Sequence, residues 1–333
     1  MKAAWFERRG PAHEVLTVGE MTEAEPGPGE VRVRIAVSGV NPTDVKGRGV
    51  RRGNAQMAFP RIIPHQDGSG IIDRVGPGVA PSRVGERVWL YMSQYGRPLG
   101  TAAEYTVVPS ERAVRLPDAA DFAIGASLGV PAMTAHYAVL GDGPVSGKTV
   151  LVHGGAGAVG FYAVQLAKWG GASHVVATVS RDEQAAQAKL AGADAVIDYK
   201  GENVADRILS AAETRSGVDR IIDVSFGANI PVDVAVIARG GTIAAYGSDA
   251  VPEPVLPFHA FSQKDVKLRM VLLYQTPQSA REAAARDING LLAANSLKHQ
   301  VSARFSLEQI ARAHEAVESG KSVGKILVDI AAL

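Results

Sequence analysis

The chain has 333 residues, of which 46% are hydrophobic, enough for two domains with sizeable cores. Its 35 basic and 34 acidic side chains leave a net charge of +1, so no concentrated basic field marks a nucleic-acid or membrane partner. It contains no cysteine, which excludes disulfides, thiolate catalysis and cysteine-ligated zinc. The first residues, Met1-Lys-Ala-Ala-Trp-Phe-Glu-Arg8, lack a long apolar signal core, and no apolar run approaches the 18 residues of a membrane span. A soluble, cytoplasmic protein is the expectation.

Residues 1–120 read as β-rich. Val31-Arg-Val-Arg-Ile-Ala-Val37 alternates apolar and polar residues, the pattern of a half-buried strand. Further short strands are expected at 70–75, 87–91 and 103–108, separated by turn signals at Pro26-Gly-Pro-Gly29 and Gly76-Pro-Gly78. Arg8-Arg9 and Arg51-Arg52 read as solvated loop charges. From 121 to 255 the pattern changes to strands at 149–153, 174–179, 195–198, 219–224 and 242–247 with helices between, which predicts a parallel sheet covered on both faces. Residues 256–333 hold an apolar strand at 267–274, two helical segments and a last strand at 325–330. The first and last stretches are expected to form one domain with the second inserted, and the crevice between them is the expected ligand site.

The most telling segment is Thr149-Val-Leu-Val-His-Gly-Gly-Ala-Gly-Ala-Val-Gly160. An apolar strand breaks into glycines and re-emerges as a helix, and Gly155, Gly157 and Gly160 satisfy G-x-G-x-x-G in the strand–turn–helix context the motif requires. One glycine is needed for the tight turn, one for approach of a pyrophosphate to the backbone, and one for close helix–strand packing. The helix start then offers N–H groups and a positive dipole end to the phosphates. The expected contacts are Gly154, Gly155, Ala156, Gly157, Ala158, Val159 and Gly160. Where an NAD site places an acid at the end of the second strand, this chain has Ser180-Arg181. A forked guanidinium and a hydroxyl suit a 2′-phosphate, so NADPH is favoured over NADH. Two other readings stay open: Ser180-Arg-Asp-Glu183 also forms a capping box, and Asp182 is an acid that would serve NAD.

Several further segments carry a family likeness. Gly39-Val-Asn-Pro-Thr-Asp44, Gly76-Pro-Gly78 with Val84-Gly-Glu-Arg-Val88, the glycine loop, Ala191-Gly-Ala-Asp194, Ile197-Asp-Tyr199 and Gly324-Lys325 together resemble the medium-chain dehydrogenase/reductase superfamily, and within it the zinc-free quinone oxidoreductases related to zeta-crystallin. The resemblance covers nearly the whole chain. It implies a Rossmann doubly wound parallel-sheet domain inserted in a β-rich GroES-like catalytic domain. It departs from zinc-dependent relatives where the metal is held: Asn41 stands in place of a ligand cysteine, Gln66 lines up with the histidine of their Gly-His-Glu element, and the third ligand position falls near Val130 or Pro131. The trio His65, Asp67 and Glu104 is the remaining way to assemble N/O zinc ligands; otherwise His65, beside a proline in a loop, reads as a hydrogen-bonded surface or packing residue.

The resemblance implies hydride transfer from NADPH to a quinone, with negative charge building on the acceptor oxygen and hydrogen-bond donors needed there. Asn41 is the candidate at the former ligand position, with Asn-Pro as a plain turn starter the competing reading. Thr43, Tyr91 and Thr134 are hydroxyl candidates, and Tyr91 is also a possible proton donor. Tyr199, Ser225, Phe226 and Gly227, Tyr246-Gly247-Ser248, Leu272-Leu273-Tyr274 and Lys325 are expected at the cofactor, although Tyr199 also reads as a strand-end packing aromatic and Lys325 as a helix C-cap. His153 is expected to be buried and hydrogen-bonded. Reduction of enones or alkenals uses the same hydride delivery. A non-catalytic NADPH-binding protein is the reading from another class, and alcohol oxidation is disfavoured because the ligand residues for a metal are missing. The acceptor pocket is expected in loops around 48–60 and 92–100, and a homodimer is expected through the apolar strand at 267–274.

Overall fold

The structure is a computed structural model that describes residues 1–49, 56–214 and 216–333. Arg51-Arg52 and the middle of the 48–60 loop therefore lie outside the described residues. The chain forms two compact units, Met1–Val130 with Ala285–Leu333, and Pro131–Ala284. These divisions fall later than the 120/121 and 255/256 read from the sequence.

The first unit is built on a seven-stranded sheet. Its path runs Val301–Ser306, Lys325–Asp329, Glu30–Val40, Asp67–Val75, Arg87–Leu90, Ala113–Arg115, and Tyr105–Pro109 also pairs with Glu30–Val40. Val31, Val33, Ile35, Ile72, Val88, Leu90 and Val108 pack into one of its cores. The alternation in 31–37 predicts a polar face in water, but Arg32 is buried. Its guanidinium pairs with Asp73 at 2.5 Å and with Glu23 and Glu25 at 3.1 Å, and it lies 4.8 Å from the centre of the Tyr105 ring. A buried arginine is tolerated because its donors are matched by carboxylates. The register sets Gly39 opposite both Asp67 and Leu327, which brings the ends of three strands together.

The second unit holds a six-stranded parallel sheet in the order Ala195–Asp198, His174–Val179, Thr149–Val152, Val218–Asp223, Ile237–Ala245, Lys267–Met270. Numbered within the unit, that is the 3-2-1-4-5-6 order of a dinucleotide-binding sheet, whose direction of winding reverses between Thr149–Val152 and Val218–Asp223. Leu151, Val176, Ile221, Phe226 and Ile243 form its core on one face. The 267–274 run is shorter as a strand than expected: it ends at Met270, and Leu273–Gln275 is a 3-10 turn. It is the sixth strand of this sheet, which moves the return to the first unit beyond 255.

The helix Phe122–Leu140 corrects a second expectation. It is long and apolar enough, by length and composition, to cross a membrane, but it is mostly buried within the protein and contains Pro131. Its glycines, serine, threonine and histidine hide it from a search for an unbroken apolar run.

Candidate functional site

In the nucleotide loop the glycines divide their tasks differently from the expectation. The left-handed turn belongs to Gly154, with φ +68°, and not to a glycine of the motif. A Cβ on Gly155 would lie 2.6 Å from that of Ala177 in the neighbouring strand, so Gly155 permits strand packing. A Cβ on Gly160 would lie 2.1 Å from the Gly154 carbonyl oxygen, so Gly160 lets the helix close onto the loop. Gly157 is exposed, and a Cβ there would meet only the Gly154 oxygen, at 3.3 Å. It occupies the N-cap of the helix Ala158–Trp169 without a side-chain cap. The first-turn N–H groups of Ala158, Val159 and Gly160 have no acceptor within the helix, which is what an approaching pyrophosphate requires. The loop fits a dinucleotide.

The other expected cofactor residues lie at the carboxyl ends of the strands, where open α/β sheets bind ligands. Ser180 does not cap a helix as the capping-box reading has it. Arg181 is the N-cap of Asp182–Ala191, and the Ser180 amide and hydroxyl both donate to Gln184 Oε1, at 2.9 and 3.0 Å. Arg181 and Tyr199 are exposed, and the Tyr199 amide closes onto Val179 at 3.0 Å. Ser225 is the N-cap of Phe226–Val236, held by its amide on Asp223 Oδ1 at 2.7 Å. Phe226 is a correction: its ring is in the core, so only its backbone, which donates to the Gly247 carbonyl, is at the strand ends. Ser248 Oγ accepts from the Gly227 amide at 3.0 Å and donates to the Val251 carbonyl at 2.5 Å. Tyr246 is partly buried, and burial pushes its phenol above the usual range. Leu272 is exposed and Tyr274 half-buried, whereas Leu273 faces the core.

Behind the loop, His153 is buried and hydrogen-bonded, with Nδ1 3.1 Å from Thr178 Oγ1 and Nε2 3.0 Å from Asp233 Oδ1. Burial disfavours its charged form, but the Asp233 hydrogen bond and charge prevail and raise its pKa; burial pushes Asp233 up to about 6. His153, Asp223 and Asp233 are the one group among the described residues whose histidine and carboxylate ligand atoms all lie within 4.8 Å of one another. The trio His65, Asp67 and Glu104 is not assembled: His65 bonds Ser38 and His314, and Glu104 Oε2 accepts the Lys2 amide at 2.8 Å.

In the first unit Asn41, Asp67 and Lys325 form a closed triangle. Lys325 Nζ donates to Asn41 Oδ1 at 2.5 Å and to Asp67 Oδ2 at 2.7 Å, and Asn41 Nδ2 donates to the same Asp67 oxygen at 2.8 Å. All three are buried, with exposures of 2%, 0% and 4%. Asp67 Oδ1 takes the Val130 amide at 2.8 Å, and Gly129 must be glycine because a Cβ would lie 2.1 Å from that oxygen. Asn41 also starts the helix Pro42–Arg48, its amide donating to Asp44 Oδ2 at 2.7 Å. Burial, then the Asp67 charge, push Asp44 up to about 7.

The Asn-Pro turn reading of Asn41 is therefore half of its role, and Lys325 begins a strand and does not cap a helix. The roles of Asp44 and the Val130 amide were missed by sequence reasoning, although Asp44 closes the Gly39–Asp44 element and Val130 lies near a former ligand position; the Asn-x-x-Asp capping spacing is the further signal for the first. Tyr91 is buried and donates its hydroxyl to the Glu111 carbonyl at 3.1 Å, so its proton is committed to the backbone. Thr43 lies in the helix Pro42–Arg48, and Thr134 is a buried residue of the helix Phe122–Leu140.

Comparison with known proteins agrees with this fold. The family model described as an alcohol dehydrogenase GroES-like domain matches residues 27–118, and the one described as a zinc-binding dehydrogenase matches 158–289. A quinone oxidoreductase from Pseudomonas aeruginosa is 30% identical over 322 residues, 95% of each chain. A 2-haloacrylate reductase from a Burkholderia species is 27% identical over 341 residues, 98% of each. The solved Escherichia coli quinone oxidoreductase complexed with NADPH superposes with a TM-score of 0.85 at 25% identity, covering 99% of this chain and 100% of that one. The chain is an oxidoreductase that belongs to the medium-chain dehydrogenase/reductase superfamily, in its zeta-crystallin-like quinone oxidoreductase branch.

Proposed function

We propose that the protein is an NADPH-dependent, zinc-independent reductase of quinones. The observation that carries the reading is the Asn41–Asp67–Lys325 triangle, which holds a buried ammonium against Asn41, the residue that by resemblance stands where zinc-dependent relatives have a ligand cysteine. NADPH, when bound, supplies the hydride. The backbone of Gly154–Gly160 would hold its pyrophosphate, with Ser180 and Arg181 at the 2′-phosphate, and Tyr199, Ser225, Tyr246–Ser248, Leu272 and Tyr274 would line its remaining length. A carbonyl that accepts hydride gains negative charge on oxygen, and donors already in place stabilise it more than donors that must reorganise. Lys325 carries three N–H donors, of which Asn41 and Asp67 take two. Asn41 orients the ammonium and adds a donor of its own. With the Tyr91 hydroxyl used by the backbone, solvent protonates the product. The likeness to the 2-haloacrylate reductase favours an activated alkene as the second acceptor class, since charge develops on the same carbonyl or carboxyl oxygen.

The test follows NADPH and NADH oxidation by EDTA-treated protein against ortho- and para-quinones and enones. Turnover of quinones with NADPH supports the proposal. Oxidation with enones alone moves the assignment to alkene reduction, and tight NADPH binding without turnover of any acceptor favours a non-catalytic binding protein.

A further inference from the structure

His65 has φ +83°, a conformation in which a side chain other than glycine is strained and persists only when its surroundings over-determine it. What surrounds it is a line of buried polar groups. Arg48 Nε donates to His314 Nδ1 at 3.3 Å, His314 Nε2 lies 2.9 Å from His65 Nε2, and His65 Nδ1 lies 2.7 Å from Ser38 Oγ. Ser38 Oγ lies 2.7 Å from Thr101 Oγ1, which donates to the Asp67 carbonyl at 2.5 Å. All six residues are fully buried. The two imidazoles stack with centroids 5.1 Å apart.

The direction of every bond is determined, and from both ends. A guanidinium only donates, so His314 Nδ1 carries no proton, and the neutral ring must carry it on Nε2. That proton points at His65 Nε2, which must be bare, leaving His65 protonated on Nδ1 and donating to Ser38. At the other end a carbonyl only accepts, so Thr101 gives its proton to Asp67 and must accept from Ser38, whose oxygen then accepts from His65. The two deductions meet without conflict. A second proton on either ring would set N–H against N–H. Burial, with Lys325 and His314 near His65 and Arg48 near His314, holds both imidazoles below the usual histidine range. Glu318 pairs with Arg48 at the outer end.

We propose that Arg48, His314, His65, Ser38 and Thr101 form a one-way hydrogen-bond relay that positions Asp67 and, through it, Asn41 and Lys325. The proposal rests on the reading of that triangle as the place where the acceptor oxygen is stabilised. The relay is an anchor and not a proton wire, because it ends on a backbone carbonyl that cannot pass a proton on. His65 and His314 are positioning residues.

Long-range proton–nitrogen spectra of the full chain, labelled at histidine, read the tautomers directly. His65 is expected as the Nδ1–H form and His314 as the Nε2–H form, both neutral at pH 6; an Nε2–H or doubly protonated His65 overturns the relay. The side-chain amide signal of Asn41 reads the positioning without reference to activity. It is expected to shift in His65→Gly and His314→Phe, and to stay close to wild type in His314→Gln, whose amide offers an acceptor and a donor. An unmoved signal in the first two variants overturns the positioning role. Acceptor kcat/KM is expected to fall about tenfold in the same two variants and to be restored in His314→Gln. If His314→Phe does not fold, His65→Gly, which relieves the backbone strain, carries the test. If the wild type turns over no acceptor, the functional reading fails, while the two spectroscopic measurements still decide the relay.

Discussion

Replacing His314 with glutamine is expected to make the protein less sensitive to acid. His314 is buried, and burial together with Arg48 lowers its pKa from 6.5 to about 3. The depressed folded-state value means that the unfolded chain binds a proton first as pH falls. The stabilisation is complete above the unfolded value of 6.5 and is lost progressively as pH falls toward the folded value of about 3. Between pH 7 and pH 5 the loss from this one group is about 2 kcal/mol, rising to about 4 kcal/mol at pH 3. Other groups titrate as well. His65 acts in the same sense, whereas Asp44, raised to about 7, acts in the opposite one. Both remain in the variant, and burial, the largest cause of the His65 displacement, remains with them, so they largely cancel in the difference between the two proteins. Any packing cost of glutamine is present at both pH values and cancels too. Urea unfolding at pH 7 and pH 5, at one protein concentration, should show wild type losing about 2 kcal/mol more than His314→Gln across that interval. Equal losses would refute a buried, neutral His314 and, with it, the polarity assigned to the relay.

Arg181→Ala should weaken NADPH binding at least about tenfold and NADH much less, since it removes a charge-assisted contact to the 2′-phosphate; equal losses by titration would remove Arg181 from that site. Gly160→Ala should cost about 1–3 kcal/mol of stability in urea unfolding, because its Cβ meets the Gly154 oxygen, whereas Gly157→Ala should keep its stability and lose NADPH affinity. The edge strand Lys267–Met270, with Met270 62% exposed and Leu272 just beyond it 54% exposed, should pair with a second copy; a monomer in sedimentation at micromolar concentration would contradict this, and Met270→Glu should dissociate the pair. Lys325→Met should cost about 3–5 kcal/mol by leaving Asp67 buried without its cation, with much of that recovered in Lys325→Met/Asp67→Asn; additive losses would mean that the pair is not coupled.

The parts of the fold that were legible are those written in short-range pattern. Five of the six strands of the parallel sheet, the glycine loop and the helix after it follow from apolar runs, turn residues and one spacing rule. The sixth strand, Lys267–Met270, was visible as an apolar run expected to extend the nucleotide-domain sheet, and it is shorter than that run because the chain turns after Met270. The glycine motif was recognised, whereas the division of labour within it was not. Gly154 takes the left-handed turn because of where the chain goes next, and Gly155 is small because Ala177 of another strand lies against it. Phe226 was assigned to the cofactor because it follows a strand; helix phase turns its ring into the core.

The proposed acceptor site was legible only as residue types. Asn41 stood out, but its partners lie 26 and 284 residues away, and no periodicity links them. His65 read as a loop residue, and its partner His314 is 249 positions on. These long-range polar contacts are also the ones that stability alone does not account for. A buried lysine–aspartate pair adds little over an apolar filling of the same volume, and a buried hydrogen-bond relay is harmful if one member is unsatisfied. In the triangle and the relay, Lys325, Asn41, Asp67 and both imidazoles find partners of the right kind. The acidic pair behind the nucleotide loop differs: Asp223 Oδ2 and Asp233 Oδ2 are buried with no hydrogen-bond partner. Two facing carboxylates in that setting favour retaining a proton, which agrees with the upward displacement of Asp233 to about 6. One sheet end thus organises fixed donors with a defined polarity, and the other organises backbone donors over a buried acid that stays neutral more readily than an exposed one. The first suits stabilisation of negative charge as it develops, and the second suits holding a phosphate whose charge is already present.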